Sequence, residues 1–378
     1  MHSIPYNKPF ISGNELSYIA DAVSSGKISG DGKYTMLCQR FFESHYAFKK
    51  TLLTSSCTDA LEMCALLANI QAGDEVIAPS YTFVSSVNPF VLRGAVIKFC
   101  DSRPDHPGID ESKIEALITS KTKAIVVTHY AGIACDMDMV MNIAGKYGLM
   151  VIEDAAHSID SFYKGKPLGS IGNLAAFSFH ETKNIIAGEG GMIVLNDTLL
   201  FERAEILREK GTDRSKFFRG EVDKYGWVDL GSSFLPSDIT AAFLYAQLEN
   251  LPIIQNKRKE IWNRYCDAFK TLAEGGNIEL PRLPEYSTNN AHIFYFICSS
   301  EAERDDLIVY LKQHGILAIF HYLPLHKSSY YADKYLGEPL PMSEKYATQL
   351  VRLPLFYTLT EEEQQFIIDQ VTRFYASK

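Results

Sequence analysis

The sequence predicts an α/β protein with a mainly parallel central sheet and a smaller α+β domain at its C-terminal end. Three observations carry that expectation. Short runs rich in β-branched residues alternate with longer helical patterns over residues 50–200, and strands separated by crossover helices form parallel sheets covered on both faces. A second, shorter strand–helix–strand pattern follows a loop rich in Gly, Pro and Asn at Gly275–Asn290. The length of 378 residues suits two domains at about 100–200 residues each. The boundary is expected near residue 250. This gives a large domain over 1–250, with an N-terminal helical segment, and a small domain over 251–378.

Taken in order, the expected strands of the large domain are Thr51–Thr54, Glu75–Ala78, Ala95–Phe99, Lys123–Thr128, Leu149–Glu153, Leu174–Phe179 and Met192–Leu195. Helical spacing occupies Thr58–Ile70, Glu111–Ser120 and Met137–Tyr147 between them. The polar, charge-mixed stretch Glu209–Asp229 is longer than an ordinary connection and reads as a functional loop. Helical pattern resumes at Ser237–Leu248 and Lys257–Leu272. The C-terminal domain is expected to hold a strand at His292–Cys298, a charged helix near Ala302–His314, a strand at Ile316–Phe320 and a final amphipathic helix at Glu361–Tyr375.

Composition narrows the function. Hydrophobic residues at 46% and charged residues at 22% exclude disordered, collagen-like and coiled-coil chains. A formal net charge of −9 argues against a general nucleic-acid binder or a basic membrane-surface protein, so an anionic substrate needs a local basic patch. No apolar run reaches the roughly 18–20 residues of a membrane span. The start, Met1-His2-Ser3-Ile4-Pro5, lacks the charged and apolar regions of a secretory signal. Seven scattered cysteines without a C-x-x-C pair fit reduced thiols rather than a disulfide framework or zinc knuckle. A soluble, cytoplasmic protein is expected.

Parallel sheets place ligands beyond the carboxyl ends of their strands, so the residues following each strand matter most. The first expected strand runs through Thr54-Ser55-Ser56-Cys57-Thr58-Asp59-Ala60 into a helix. Small hydroxyl residues there suit a phosphate, toward which N–H groups and the dipole point, and equally suit a plain N-cap. No G-x-G-x-x-G or Walker sequence is present, which disfavours a dinucleotide or nucleoside triphosphate. The aromatics of Pro79-Ser80-Tyr81-Thr82-Phe83-Val84 suit stacking on a planar ring, or packing in a core or interface. In Glu153-Asp154-Ala155-Ala156-His157-Ser158, a strand-end acid followed by two alanines leaves room for something flat, or caps a helix. Finally, Phe177-Ser178-Phe179-His180-Glu181-Thr182-Lys183-Asn184 precedes Ala187-Gly188-Glu189-Gly190-Gly191. Three glycines within four positions imply close backbone approach, and Lys183 is either a Schiff-base former or a surface lysine. His129, His321 and His326 have no Cys or acidic partner at ligand spacing, so no metal is expected.

The order of these signals is more specific than any one of them. A phosphate loop, a stacking aromatic, a strand-end Asp and Ser178-x-x-x-x-Lys183 before a glycine turn together resemble the DegT/DnrJ-type sugar aminotransferases. These are pyridoxal-phosphate (PLP) enzymes of the aspartate-aminotransferase fold, PLP fold type I. The resemblance extends to Gly30-Asp31-Gly32, to His129-Tyr130-Ala131-Gly132 and to Phe320-His321-Tyr322-Leu323-Pro324-Leu325-His326, and covers essentially the whole chain. Phe217-Phe218-Arg219-Gly220-Glu221-Val222-Asp223-Lys224-Tyr225 narrows it to bacterial dTDP-4-oxo-6-deoxyglucose 4-aminotransferases.

The resemblance implies roles residue by residue. Lys183 is the Schiff-base lysine and proton carrier, working because a desolvated amine is neutral more readily. Asp154 pairs with the pyridinium nitrogen, Phe83 stacks on the ring, and His157, where the family often has Gln, meets the ring hydroxyl. Cys57, Thr58 and Ser178 hold the phosphate. Ser233 departs from the family's pattern by standing where relatives place a partner-subunit Asn, and its hydroxyl is able to donate in that place; the resemblance implies a homodimer with shared active sites. His321 and Tyr322 fall in the substrate pocket. The loop that carries Lys210, Arg214, Lys216, Arg219 and Lys224 is either a solvated surface, partly cancelled by Asp213, Glu221 and Asp223, or brings Arg219 or Lys224 to the diphosphate or hexose of the nucleotide sugar. The implied reaction is a ping-pong transamination from L-glutamate, through pyridoxamine phosphate, to a 4-oxo sugar. A C3-aminotransferase and a non-catalytic PLP-fold sensor are the alternatives. A sugar 3-dehydratase is disfavoured because such relatives carry His where Lys183 stands.

Overall fold

The computed structural model describes residues 3–377. The large sheet is built from β1 (Lys50–Thr54), β2 (Glu75–Pro79), β3 (Val96–Cys100), β4 (Thr122–Thr128) and β5 (Met150–Asp154). A short hairpin, β6 (Phe162–Tyr163) and β7 (Lys166–Pro167), intervenes before β8 (Leu174–Ser178) and β9 (Gly191–Leu195) complete the sheet. Its strand order is β1-β9-β8-β5-β4-β2-β3. Neighbours from β8 through β5, β4 and β2 to β3 pair in parallel, while β9 runs antiparallel to both β8 and β1.

Alternation along each strand divides the interior. Val126 and Ile152 belong to the core that includes Leu61 and Cys64 of the helix Cys57–Leu67, whereas Ile125 and Val151 pack with Val140 and Ile143 of the helix Met137–Tyr147. The latter helix starts where the Asp136 side chain accepts from Met139 N at 3.2 Å and stops at Gly148, which takes a left-handed φ of 66°. The helices Glu15–Ser24 and Lys33–His45 lie N-terminal to the sheet. Tyr34, Cys38 and Phe42 share a core with Phe177 of β8 and Ala241 of the helix Asp238–Leu248. Gly32 is small for a packing reason, since a Cβ there would meet the Asp238 carboxyl carbon at 2.4 Å. That carboxylate accepts from Thr35 N at 2.8 Å and Tyr34 N at 3.2 Å, capping the second helix from far along the chain.

The smaller sheet consists of β10 (Ile278–Glu279), β11 (Phe294–Cys298) and β12 (Leu350–Leu353), antiparallel and in that order. Its core is aromatic: Trp262, Tyr265, Phe269, Phe294 and Phe296 pack together, with Tyr265 stacked on Phe294 at 4.9 Å. The helices Leu251–Ala268, Glu301–Gln313 and Glu361–Ala376 supply the rest. A Thr360–Glu363 capping box begins the last of them.

Two expected elements differ. Glu111–Ser120 is not one helix but two single 3₁₀ turns, Glu111–Lys113 and Glu115–Leu117. Glu111 is buried, where its carboxylate accepts from Asp136 N at 2.6 Å and from Arg103 at 3.0 Å. That inward anchoring replaces a solvent-facing helical turn. Ile316–Phe320 is not a sheet strand either. Leu317 N donates to Ile4 O at 2.9 Å and Ile319 forms an isolated bridge to Arg352, because β12 already occupies the place beside β11. The C-terminal sheet is therefore antiparallel rather than a β-α-β unit. The stretch Glu209–Asp229 contains one short helix, Arg214–Phe218.

Candidate active site

The carboxyl ends of β2, β4, β5 and β8 open into a cavity of about 550 Å³. Parallel register puts Thr128 of β4 beside Asp154 of β5, and Asp154 beside Ala176 of β8. The neighbouring Glu153 points the other way and is fully buried. It accepts from Gly169 N at 2.7 Å, Ile171 N at 2.8 Å, Gly172 N at 2.6 Å and His129 Nε2 at 3.0 Å. Burial alone would raise its carboxyl pKa, but these donors hold it below the ordinary value. Glu153 thus pins the end of β5, and Asp154 inherits a fixed position. Asp154 Oδ2 accepts from Ser86 Oγ, and Oδ1 from Ala156 N at 3.1 Å. Ser86 Oγ lies 2.7 Å from Thr82 Oγ1, which lies 3.1 Å from Thr128 Oγ1. The carboxylate is held by one hydroxyl and one backbone N–H rather than by a cation.

The helix Cys57–Leu67 points its N-terminus at the same cavity. Ser56 is the N-cap, its hydroxyl accepting from Asp59 N at 3.0 Å, which leaves the Cys57 and Thr58 N–H groups without a helical acceptor. Thr58 Oγ1 lies 2.9 Å from Ser85 Oγ. Gly191 closes the other side, since a Cβ there would meet Ser56 C at 2.3 Å and Cys57 N at 2.4 Å. Burial keeps the Cys57 thiol well above its usual pKa, so it is an uncharged wall. With Ser178 on the rim, this is a cradle of free N–H groups and hydroxyls suited to a phosphate.

Lys183 projects from the turn after β8 into the cavity. Its backbone N–H donates to His180 O at 2.9 Å. Desolvation lowers its amine to about 8, with the Arg352 charge contributing in the same direction. Five cavity side chains come from outside the large sheet's strand ends: Tyr6 near the N-terminus, and His292, His321, Tyr322 and Arg352 from the C-terminal third of the chain. His157 Nδ1 accepts from Ala131 N at 3.2 Å, so its proton sits on Nε2. Its ring packs against His292 at 4.2 Å. Burial, with Lys183 close by, pushes His157 well below its ordinary pKa, and burial does the same to His292 beside His157. Phe83 is 53% exposed at the cavity wall, with its ring 5.7 Å from that of Tyr322.

Nine sequence-derived site residues therefore line one cavity: Cys57, Thr58, Phe83, Asp154, His157, Ser178, Lys183, His321 and Tyr322. Ser233, Arg219 and Lys224 stand outside it in the single chain, all on exposed backbone. Arg219 donates to Glu205 at 2.8 Å and Glu221 at 2.6 Å, so its charge is already engaged. Sequence reasoning missed Tyr6, Thr82, Ser85, Thr128, His180, Glu189, His292 and Arg352, which also line the cavity, and Ser86 behind Asp154. Thr128 was readable, since it ends the strand next to Asp154. His292 and Arg352 carry no local signal. His129 and His326 are structural: Cys135 N donates to His129 Nδ1 at 3.2 Å, and His326 Nδ1 meets Ser80 Oγ at 2.6 Å.

Residues 9–372 match the model of the DegT/DnrJ/EryC1/StrS aminotransferase family. The spore coat polysaccharide biosynthesis protein SpsC of Bacillus subtilis (strain 168) is 30% identical, over 98% of this chain and 96% of that protein. Among solved structures, Spr1654 from Streptococcus pneumoniae in its PLP form superimposes with a TM-score of 0.91 at 27% identity, covering 100% of this chain and 99% of that one. PseC of Helicobacter pylori, an aminotransferase involved in pseudoaminic acid biosynthesis, gives a TM-score of 0.90 at 26% identity, with 100% of each chain covered. The fold is the aspartate-aminotransferase-like type I fold. No helix among the described residues is long and apolar enough to cross a membrane.

Proposed function

We propose a substrate and a division of labour among residues, proceeding from the fact that the chain belongs to the DegT/DnrJ/EryC1/StrS aminotransferase family and is an enzyme of amino-group transfer. The reaction moves the amino group of L-glutamate to the carbonyl carbon of a nucleotide-linked 4-oxo-6-deoxyhexose, dTDP-4-oxo-6-deoxy-D-glucose. Its product is a 4-amino-4,6-dideoxyhexose for a surface polysaccharide. The observation that carries this reading is Lys183, a lysine with its amine lowered to about 8, in one cavity with Asp154 and Phe83. Support for a sugar substrate comes from SpsC and PseC, and support for PLP from the PLP form of Spr1654.

The donor set fits PLP. The free N–H groups of Cys57 and Thr58, with the Thr58 and Ser178 hydroxyls, suit its phosphate. Asp154 suits the pyridinium nitrogen, and Phe83 the ring face. When bound, PLP supplies an electron sink for the carbanion at the substrate carbon. The remaining work belongs to the chain. Lys183 tethers the cofactor and then carries the proton to and from the reacting carbon, which a lysine with lowered proton affinity does near neutral pH. The Ser86 hydroxyl and Ala156 N–H keep the Asp154 carboxylate in place. His157 donates its Nε2 proton to the ring hydroxyl. His321 and Tyr322 bound the hexose.

Arg219, Lys224 and Ser233 serve the neighbouring cavity in a homodimer. They share an exposed segment with Phe218 and Trp227, the latter 82% exposed, and exposed aromatics of that size mark interaction surfaces. The test is product analysis after incubation with dTDP-4-oxo-6-deoxy-D-glucose and L-glutamate. An amine at C4 by NMR is expected. Turnover only with the 3-oxo isomer makes it a C3-aminotransferase, and a purified protein without the visible absorbance of lysine-bound PLP overturns the reading.

A further inference from the structure

His321 and Tyr322 line the cavity from a segment that belongs to neither sheet. Residues 320–324 have no helix or strand. The chain is fixed on either side of them. Ile319 N donates to Arg352 O at 3.1 Å, and Arg352 N donates to Ile319 O at 2.7 Å. Leu325 N donates to Ser80 O at 2.9 Å, and His326 Nδ1 lies 2.6 Å from Ser80 Oγ. Between these two anchors the backbone needs hydrogen-bond partners from elsewhere in the chain.

Two phenols supply them at a single atom. Tyr81, two residues beyond β2, and Tyr130, two beyond β4, both donate to His321 O, the latter at 3.0 Å. Each is 1% exposed, and their rings lie 5.4 Å apart. Burial pushes both hydroxyls above their ordinary pKa, so each keeps its proton to donate. A carbonyl oxygen has two lone pairs, enough for both donors. The His321 ring is tied the other way, with Nδ1 2.5 Å from Arg352 Nη1. The Tyr322 ring packs 6.3 Å from those of Tyr81 and Tyr130. Tyr81 and Tyr130 therefore stand behind the cavity wall, on the large domain, and grip a wall segment that comes from the C-terminal part of the chain.

We infer that Tyr81 and Tyr130 are positioning residues for the sugar half of the reaction, a paired clamp on the His321 carbonyl that fixes the His321–Tyr322 wall against the strand ends. This deepens the proposed reaction and rests on its assignment of His321 and Tyr322 to the hexose. The clamp is redundant, because either hydroxyl alone still gives the carbonyl a donor. Losing one should cost little. Losing both frees the carbonyl and lets the wall shift. The phosphate cradle at the helix Cys57–Leu67 and the turn after β8 that carries Lys183 are separate elements of the large domain. Cofactor retention and the glutamate half-reaction should therefore change far less than the sugar half-reaction.

The experiment compares PLP-loaded wild-type protein with Tyr81→Phe, Tyr130→Phe and the double variant, in which the rings and their packing are kept. The two half-reactions are followed separately by absorbance, with L-glutamate and with dTDP-4-oxo-6-deoxy-D-glucose. Hydrogen exchange of residues 317–328 is read by mass spectrometry without sugar. Each single variant should lower kcat/KM for the nucleotide sugar by no more than a few-fold. The double variant should lower it by roughly ten- to a hundred-fold, more than the product of the singles and chiefly through KM. Exchange should quicken in the double variant alone. Effects that simply multiply, or two half-reactions that fall together, would reduce the phenols to core packing and overturn the inference. Unchanged exchange in the double variant would overturn it as well. A wild-type protein that converts only the 3-oxo isomer moves the kinetic comparison to that sugar. One that converts neither sinks the substrate reading, while exchange and the glutamate half-reaction still decide for or against the clamp.

Discussion

Lys183 owes its chemistry to its surroundings. Removing the amine from water lowers it to about 8, so it exists partly as free base at pH values where a surface lysine is fully charged. Capture of PLP by the apoprotein should accordingly quicken as pH rises from about 6 and level off above about 8, two units below the range of an ordinary lysine. The sign is that of a depressed base: between the folded value and the ordinary one the unfolded chain holds more protons, so Lys183's contribution to stability rises with pH. Lys183→Ala should abolish steady-state transamination while the far-ultraviolet circular dichroism stays native, and retained turnover would remove the residue from the mechanism. Asp154 is a second case. It is 5% exposed and held by Ser86 and Ala156, so Asp154→Asn should preserve its position but remove its charge. Single-turnover rates should fall by roughly 10²–10³-fold or more, with PLP still bound through its phosphate. Near-wild-type rates would place the acid elsewhere.

The elements that line the cavity are mainly strand ends and one helix start. The helix Cys57–Leu67 can open its N-terminus to the cavity because β9 begins against it without a side chain at Gly191. Gly191→Ala would drive a methyl group into the Ser56 carbonyl and the Cys57 N–H, backbone atoms that cannot rotate away. The expected result is about 1–3 kcal/mol of lost stability in a urea titration, together with weaker PLP retention on dialysis. A variant that keeps PLP as tightly as wild type would show that the cradle is wider than its atoms suggest. The same scale explains Glu153, a buried acid whose four hydrogen bonds aim its neighbour Asp154.

At the scale of the molecule, the cavity draws on distant stretches of chain, because Arg352 of the smaller sheet, with His292, His321 and Tyr322 from outside its strands, joins strand ends of the larger one. Arg219, Lys224 and Ser233 remain outside it, and a shared-site homodimer is how they would act. Complementation tests that arrangement. Lys183→Ala and a Ser233→Arg/Lys224→Glu double variant should each be weak or inactive, and a refolded mixture should recover activity that neither has alone. A mixture no better than its parts, in a protein that sediments as a dimer, would confine each site to one chain.

The sequence by itself determined the α/β class and named nine residues that line one cavity, because the informative residues are local. Asp154, Lys183 with Ser178, and Cys57 with Thr58 each follow directly on a strand, and parallel pairing brings successive strand ends to one edge. The residues outside that rule needed the tertiary structure. Arg352 sits in Leu350–Leu353, a run too short to announce a strand, and its place at the cavity is a statement about everything packed around it. The expected helix at Glu111–Ser120 and strand at Ile316–Phe320 failed for the same reason: the partners that decided them, Asp136 with Arg103 and Ile4 with Arg352, lie outside the window in which periodicity is read. Local patterns specify what a segment can form, and long-range hydrogen bonds and burial select which of those forms is kept.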